Sequence, residues 1–352
     1  MGISPLTIGG VDIAPGSHRI IDLPVAPLYT HGDLAMAVHV YRSRRSGPVL
    51  FVSAAIHGDE LNGVEIIRRL LKHAALKSLR GTLLALPIVN VYGFINHSRY
   101  LPDGRDLNRS FPGSASGSLT GRLADTFMRE IVKQSTHGID LHTGARHRGN
   151  LPQIRADLND PETMAMASAF GVPVILHSRL RDGSLRAAMT EQRRPMLLYE
   201  AGEALRFDET AIRAGVNGII NVMRAIGMLP PSRRRQTAPQ PVMTDQTVWL
   251  RAPASGVMRS LVSLGARVAR DDVLGVIADP MGTAEQAVLA PNDGIVIGRT
   301  YLPLVYEGDA LFHIARYRRK TATVASQLEQ FQERYDQEPM SSDDPLDAPI
   351  AN

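Results

Sequence analysis

Residues 48–71 read PVLFVSAAIHGDELNGVEIIRRLL, and the change of period within them decides the fold. From Pro48 to Ile56 the run is apolar and β-branched with Ser53 as its one polar break, which reads as a strand. The HGDE turn follows. Beyond it Val64, Ile67, Leu70, Leu71 and Ala74 recur at helical spacing, and Gly81 supplies a stop signal. A strand that passes through a polar turn into an amphipathic helix is one unit of an α/β fold.

The same alternation extends outward. HRIIDLPVA (18–26) and DLAMAVHVYRS (33–43) read as strands, and GTLLALPIVNVYGF (81–94) as one long buried strand. A helix is expected over 118–134, a strand at GIDLH (138–142), then a loop, a helix over 161–171, strands over 173–178 and 194–202, and a helix over 209–227. Composition shifts at LPPSRRRQTAPQPV (229–242), which marks a linker. Residues 245–316 lack a helical period and repeat a pattern: RAPASGVM pairs with LAPNDGIV, and SLGARVARDDVLGVI with LVYEGDALFHI. Such a duplication predicts a small β barrel or sandwich. The expected organisation is therefore a catalytic α/β domain over 1–230 with a mixed, mostly parallel sheet, a linker over 231–244, and a β module over 245–316. A helix at ASQLEQFQERY (325–335) and an acidic, disordered tail over 338–352 complete it.

Composition narrows the function. The 352 residues contain no cysteine, so thiolate nucleophiles, iron–sulfur clusters and Cys-ligated zinc are excluded, and any metal sits on His, Asp or Glu. The net charge is +4, yet residues 321–352 hold seven acids against Arg334 alone, leaving about +10 on the remaining chain. Aromatic residues are only 5%, too few for a base-stacking surface, so the surplus points to an anionic small molecule rather than nucleic acid. No apolar run approaches a membrane span, and no basic patch with an apolar run opens the chain, so a cytoplasmic location is expected.

Two strand ends carry metal-ligand chemistry. His57 and Glu60 lie three apart across the HGDE turn, and His142 ends the strand GIDLH. His, Glu and His leave a fourth zinc position open for water, the ligand set of a hydrolytic site. Between them SRYLPDGRDLNRSFPG (98–113) is too patterned for a plain surface turn. Glu200 ends another apolar strand, and taken alone it reads as a surface or salt-bridged residue. Tyr199, alternating with it, reads as core, and Asp59 as a cap of the following helix. His147 reads as part of a solvated basic loop, and His97, His137, His177 and His313 as structural.

Taken together, HGDE, DLNRSFPG, DLHTG and YEAGE, in this order and spacing, resemble the succinylglutamate desuccinylase and aspartoacylase family of zinc-dependent deacylases, relatives of the zinc carboxypeptidases. The resemblance covers about residues 40–227. It implies one zinc ion per chain on His57, Glu60 and His142, with Glu200 as the catalytic glutamate. It further implies that Asn108 and Arg109 hold a substrate carboxylate, that Asp106 orients the first histidine, and that Arg99 polarises the scissile carbonyl. The gap from Arg99 to the Asn-Arg pair is about two residues longer than in aspartoacylases. The β module resembles biotinyl and lipoyl carrier domains, but no lysine stands between Trp249 and Arg319, which excludes a swinging arm. The expected activity is hydrolysis of a small, anionic N-acyl amino acid. Trimming of acidic residues from a peptide is the alternative, and a non-catalytic binding protein the third. A homo-oligomer is compatible with all three. Specificity is expected from loops over 146–157 and 177–190.

Overall fold

Thirteen strands hydrogen-bond into one sheet in the computed structural model, which describes residues 5–27, 30–232 and 241–316 together with 331, 333 and 335. In chain order, residues 1–230 contain β1 (Thr7–Ile8), β2 (Val11–Asp12), β3 (Ser17–Pro27), β4 (Asp33–Arg42), β5 (Val49–Ala54), α1 (Asn62–Lys72), β6 (Thr82–Leu86) and α2 (Val91–Ile95). It continues through α3 (Leu119–Glu130), β7 (His137–Gly144), β8 (Arg148–Ala156), α4 (Pro161–Phe170), β9 (Val174–His177), α5 (Leu185–Glu191), β10 (Met196–Glu203) and α6 (Glu209–Ala225). The remainder is β: β11 (Val242–Thr244), β12 (Thr247–Arg251), β13 (Gly256–Ser260), β14 (Arg267–Val268), β15 (Val273–Ala278), β16 (Glu285–Leu289), β17 (Gly294–Thr300), β18 (Leu304–Val305) and β19 (Ala310–Ala315).

The centre of the sheet is parallel, in the order β10-β7-β5-β6, and its margins are antiparallel, with β4 and β3 on one side and β8 on the other. β5, β6 and β7 are buried almost along their whole length, as strands covered on both faces are, while β10 is half-buried at Leu198, Glu200 and Glu203. One face packs on α1, α4 and α6 through Ile66, Ile67, Leu70, Phe170 and Ile219, the other on α3 and α5 through Phe51, Phe127 and Met189. The mixed α/β class is borne out.

Close approach of α1 explains Gly63. A Cβ there would lie 2.7 Å from Ala54 Cβ and 2.9 Å from Leu141 Cβ, so the helix rests directly on β5 and β7. The buried stripe is Gly63, Ile66, Ile67 and Leu70, while Val64 and Leu71 flank it half-buried.

Several expectations are corrected. The apolar run at 81–94 is a strand only to Leu86; Asn90 then caps α2 by accepting from Gly93 N, because Pro87 and Asn90 end the extended segment. Residues 148–156 are strand β8 rather than part of a specificity loop, and the segment after His177 closes into α5. Asp59 does not cap α1; the cap position is Leu61, with no side-chain bond. The expected linker contains β11, which pairs in parallel with β9. Residues 233–240 of that linker, most of the 325–335 helix and the acidic tail lie outside the described residues.

The β module is stitched into the same sheet. β17 pairs antiparallel with β8, and β19 and β12 extend the sheet beyond it, while β16-β15-β13-β18 form a second, four-stranded sheet. Leu274, Ile277, Val288, Phe312 and Ile314 fill the space between the two sheets. Among the described residues, no helix is long and apolar enough to cross a membrane.

Candidate metal centre and its cavity

The turn after β5 is set by an uncommon backbone. Ala55 adopts φ +51°, a left-handed conformation that side chains other than glycine's rarely take, and such strain concentrates at functional sites. It turns the chain so that His57 and Glu60 face the end of β7, where His142 lies. The donor atoms of the three residues all fall within 4.8 Å of one another, and all three side chains are buried. Glu60 is the hub, with Oε1 2.7 Å from His57 Nδ1 and Oε2 2.8 Å from His142 Nδ1. Thr143 N also donates to Oε2 at 3.1 Å.

The far side of each imidazole is held by a carboxylate. Asp106 Oδ1 lies 3.1 Å from His57 Nε2, and Asp140 Oδ2 lies 2.6 Å from His142 Nε2. Both rings therefore present Nδ1 to the same point, which is the arrangement a metal needs and which carboxylate partners usually enforce. Asp140 is fully buried, and its second oxygen accepts from Ser53 Oγ at 2.7 Å. Sequence reasoning missed it, although the D-x-H spacing on a strand was legible: alternate residues share a face.

Charge around the triad is strongly coupled. Burial alone would push the Glu60 carboxyl up, but the two imidazoles outweigh it and hold it well below the usual carboxylate range. For His57, burial pushes down while Glu60 and Asp106 raise it above its ordinary value; His142 is raised further by Asp140 and Glu60. The donor set thus fits a divalent cation: two neutral-capable imidazoles, one carboxylate and two orienting carboxylates.

The other expected residues converge on this point. Arg99 binds Asp106 Oδ2 through Nη2 at 2.9 Å, with Nη1 3.5 Å from Glu60 Oε1. Asp106 also caps the short turn Leu107–Arg109 by accepting from Asn108 N at 2.8 Å. Asn108 is buried and its Oδ1 accepts from Leu185 N at 3.0 Å, which fixes the amide so that its NH2 group is left for another partner. Arg109 lines the same cavity. Glu200 is the register partner of His142 on the adjacent parallel strand, and its Oε2 lies 2.5 Å from Arg155 Nε.

These side chains surround a cavity of about 630 Å³. Seven arginines line it (Arg99, Arg109, Arg148, Arg155, Arg181, Arg186 and Arg251) against the carboxylates Glu60, Asp140, Glu200 and Asp309. Arg186 is the extreme case. It is buried, and among the described residues it is bonded only to the carbonyls of Ser178 and Arg179; burial together with Arg155 and Arg181 pushes its guanidinium down to about 10.

One wall belongs to the β module, through Trp249, Arg251, Asp309 and Ala310. Trp249 stacks on His313 at 4.6 Å, and the Arg148 guanidinium lies 5.5 Å from the Trp249 ring centre. Gly298, between them on β17, makes this possible: a Cβ there would meet Asn150 Oδ1 at 2.9 Å and His313 Cβ at 3.1 Å.

With the geometry established, comparison with known proteins is decisive for the family. Residues 46–226 match the succinylglutamate desuccinylase/aspartoacylase catalytic domain. The chain belongs to this family. A curated relative, the N-alpha-acetyl-L-2,4-diaminobutyric acid deacetylase of Halomonas elongata, is 26% identical over 310 residues, covering 85% of this chain and 91% of that protein. The structure of a succinylglutamate desuccinylase/aspartoacylase from Rhodobacter sphaeroides superposes with a TM-score of 0.76 at 25% identity, covering 86% of this chain and 96% of the other. The product-bound ectoine utilization protein EutE (DoeB) of Ruegeria pomeroyi shares the fold, with a TM-score of 0.76 at 24% identity over 89% and 98% of the two chains.

The residues that sequence reasoning missed in this member of the family are Asp140, Arg155, Arg181, Arg186 and Trp249. Tyr199 is core, as expected, its hydroxyl donating to Ala211 O at 2.7 Å, and His147 N donates to Glu203 Oε1 at 3.0 Å.

Proposed function

We propose that the protein is a zinc-dependent amidohydrolase that removes the acyl group from a small, anionic N-acyl amino acid. The observation that carries this reading is the opening of the His57–Glu60–His142 cluster into an arginine-lined cavity of about 630 Å³, within the range that suits a small ligand. One zinc ion held by these three residues would supply Lewis acidity toward water and the amide carbonyl.

The chain's own groups do the rest. Glu200, beside His142, takes the proton of the attacking water and returns it to the leaving nitrogen. Arg155 holds that carboxylate in place. Arg99, fixed by Asp106, donates to the carbonyl oxygen as negative charge develops there. The free amide NH2 of Asn108 and the planar fork of Arg109 hold the carboxylate of the amino acid, and Arg181 and Arg186 add positive field to that wall. In this reading residues 1–230 carry the chemistry, and residues 245–316 close one side of the cavity.

That closure supports a compact substrate over an extended acidic peptide. Two measurements test the reading: the metal content of the purified protein, and release of free amine from N-acetyl and N-succinyl amino acids compared with release of glutamate from glutamyl peptides. Stoichiometric zinc and turnover of the small compounds are expected. Absence of zinc, or turnover of the peptides alone, overturns it.

A further inference from the structure

Beneath the cavity lie two buried polar side chains whose free atoms the proposed chemistry does not use. Gln153, on β8, is fully buried; its Nε2 donates to Ile297 O at 3.5 Å, which leaves Oε1 as an acceptor with no donor among the described residues. His313, on β19 of the β module, is buried as well, and its Nδ1 likewise has no partner there. Both lie on the face of the sheet that carries the cavity. Gln153 is the register partner of Glu200 and stands two residues from Arg155 on the same strand, so these three side chains share that face. Gly298 pairs with Asn150 on one side and with His313 on the other, and Trp249 of the cavity wall stacks nearly parallel on the imidazole.

A donor in want of acceptors stands beside them. Arg155 carries five N–H groups, and among the described residues its one polar partner is Glu200, with Nε 2.5 Å from Oε2. Burial and the charge of Arg155 together keep the His313 imidazole neutral, the form in which one ring nitrogen is an acceptor. Buried polar atoms in folded proteins are nearly always paired, and two unfilled acceptors beside unfilled donors form a matched set. Given Glu200 as the general base, the reading on which this rests, we propose that His313 is a positioning residue of the reaction: His313 Nδ1 and Gln153 Oε1 accept from the Nη groups of Arg155, directly or across one water, and so fix the arginine that holds Glu200. The β module then bears on the rate of the chemical step as well as on the shape of the cavity.

Substitutions that keep either the ring or the acceptor separate positioning from packing. His313→Phe preserves the stack on Trp249 and removes the acceptor, whereas His313→Asn gives up the stack and returns a carbonyl oxygen. His313→Phe lowers kcat about 10–100-fold, the scale of a misplaced catalytic group, with KM and zinc content unchanged. His313→Asn recovers most of that loss. In an Arg155→Met background His313→Phe has no further effect, because the two residues act as one unit. A second measurement needs no turnover: in proton–nitrogen correlation spectra of the purified chain, the Arg155 Nε–H signal, assigned by its loss in Arg155→Met, is protected from exchange in the wild type and in His313→Asn and exchanges rapidly in His313→Phe. Equal losses of kcat in His313→Phe and His313→Asn overturn the proposal, as do independent losses in the double variant or a signal indifferent to His313→Phe. A wild type that turns over no N-acyl amino acid overturns instead the hydrolase reading, and the exchange measurement then decides by itself whether His313 fixes Arg155.

Discussion

Replacing Asp140 by alanine separates the orienting carboxylate from the ligand it serves. The side chain is fully buried and accepts from Ser53 Oγ at 2.7 Å and His142 Nε2 at 2.6 Å. Truncation strands a hydroxyl and an imidazole N–H in the interior, each costing about 1–3 kcal/mol, so the metal-free protein loses about 2–6 kcal/mol of stability. The released ring no longer presents Nδ1 in a fixed direction, and zinc affinity falls about 10–100-fold. Asp140→Asn splits the two effects. Its amide can still accept from His142 and bond Ser53, so stability largely returns, while loss of the negative charge keeps the affinity low. Urea unfolding of chelator-treated protein and zinc titration against a competing chromophoric chelator read the two quantities. An alanine variant that binds zinc within about threefold of the parent would refute the orienting role, as would an asparagine variant that recovers stability and affinity together.

Three further changes probe the rest of the site. Glu200→Gln keeps the size of the side chain but cannot take up a proton, so turnover falls about 10²–10⁴-fold with zinc content unchanged, measured by initial rates and elemental analysis. Trp249→Ala opens the wall supplied by the β module; the ratio of kcat/KM for a glutamyl peptide to that for an N-acetyl amino acid rises about tenfold, and an unchanged ratio would show that the module does not select the substrate. Burial and the charge of Arg155 push the His313 imidazole down to about 3. Its folded value lies below the unfolded one, so the unfolded chain takes up the proton first and stability falls as pH drops below about 6.5. Between pH 6.5 and 5 this group costs about 2 kcal/mol. His313→Phe, which preserves a ring against Trp249, loses correspondingly less over that interval in urea titrations, and equal losses in both proteins would contradict the assignment.

What the sequence disclosed depended on how locally each feature is determined. β5, the HGDE turn and α1 were legible because the change from an unbroken apolar run to a 3.6-residue period happens within one short segment. β8 was not. Its residues RGNLPQIRA mix Arg, Asn and Gln with apolar positions because one face borders the cavity, so neither alternation nor an apolar run identifies a strand. α5 was lost for a similar reason: seven residues are too few to establish a helical period, and the cap in which Ser184 Oγ accepts from Ala187 N is a local bond that composition does not reveal.

The site shows the same division in a more instructive form. His57, Glu60 and His142 could be found because ligand chemistry restricts the residue types and strand ends restrict their places. Asp106 and Asp140 do one job, each holding the outer nitrogen of a histidine, yet Asp106 was reached only through the DLNR motif and Asp140 was overlooked two residues from His142. The difference is informational rather than physical. The arginines were hidden more deeply: Arg155 comes from β8, Arg181 and Arg186 from the segment that runs into α5, and Arg148 is ordered against Trp249 of the β module. Nothing in the spacing of these residues joins them. Only the antiparallel pairing of β8 with β10 and β17 brings Glu200, the arginine wall and the module to one place. The positive charge counted over the whole chain therefore acquires meaning only through the one strand that the sequence concealed.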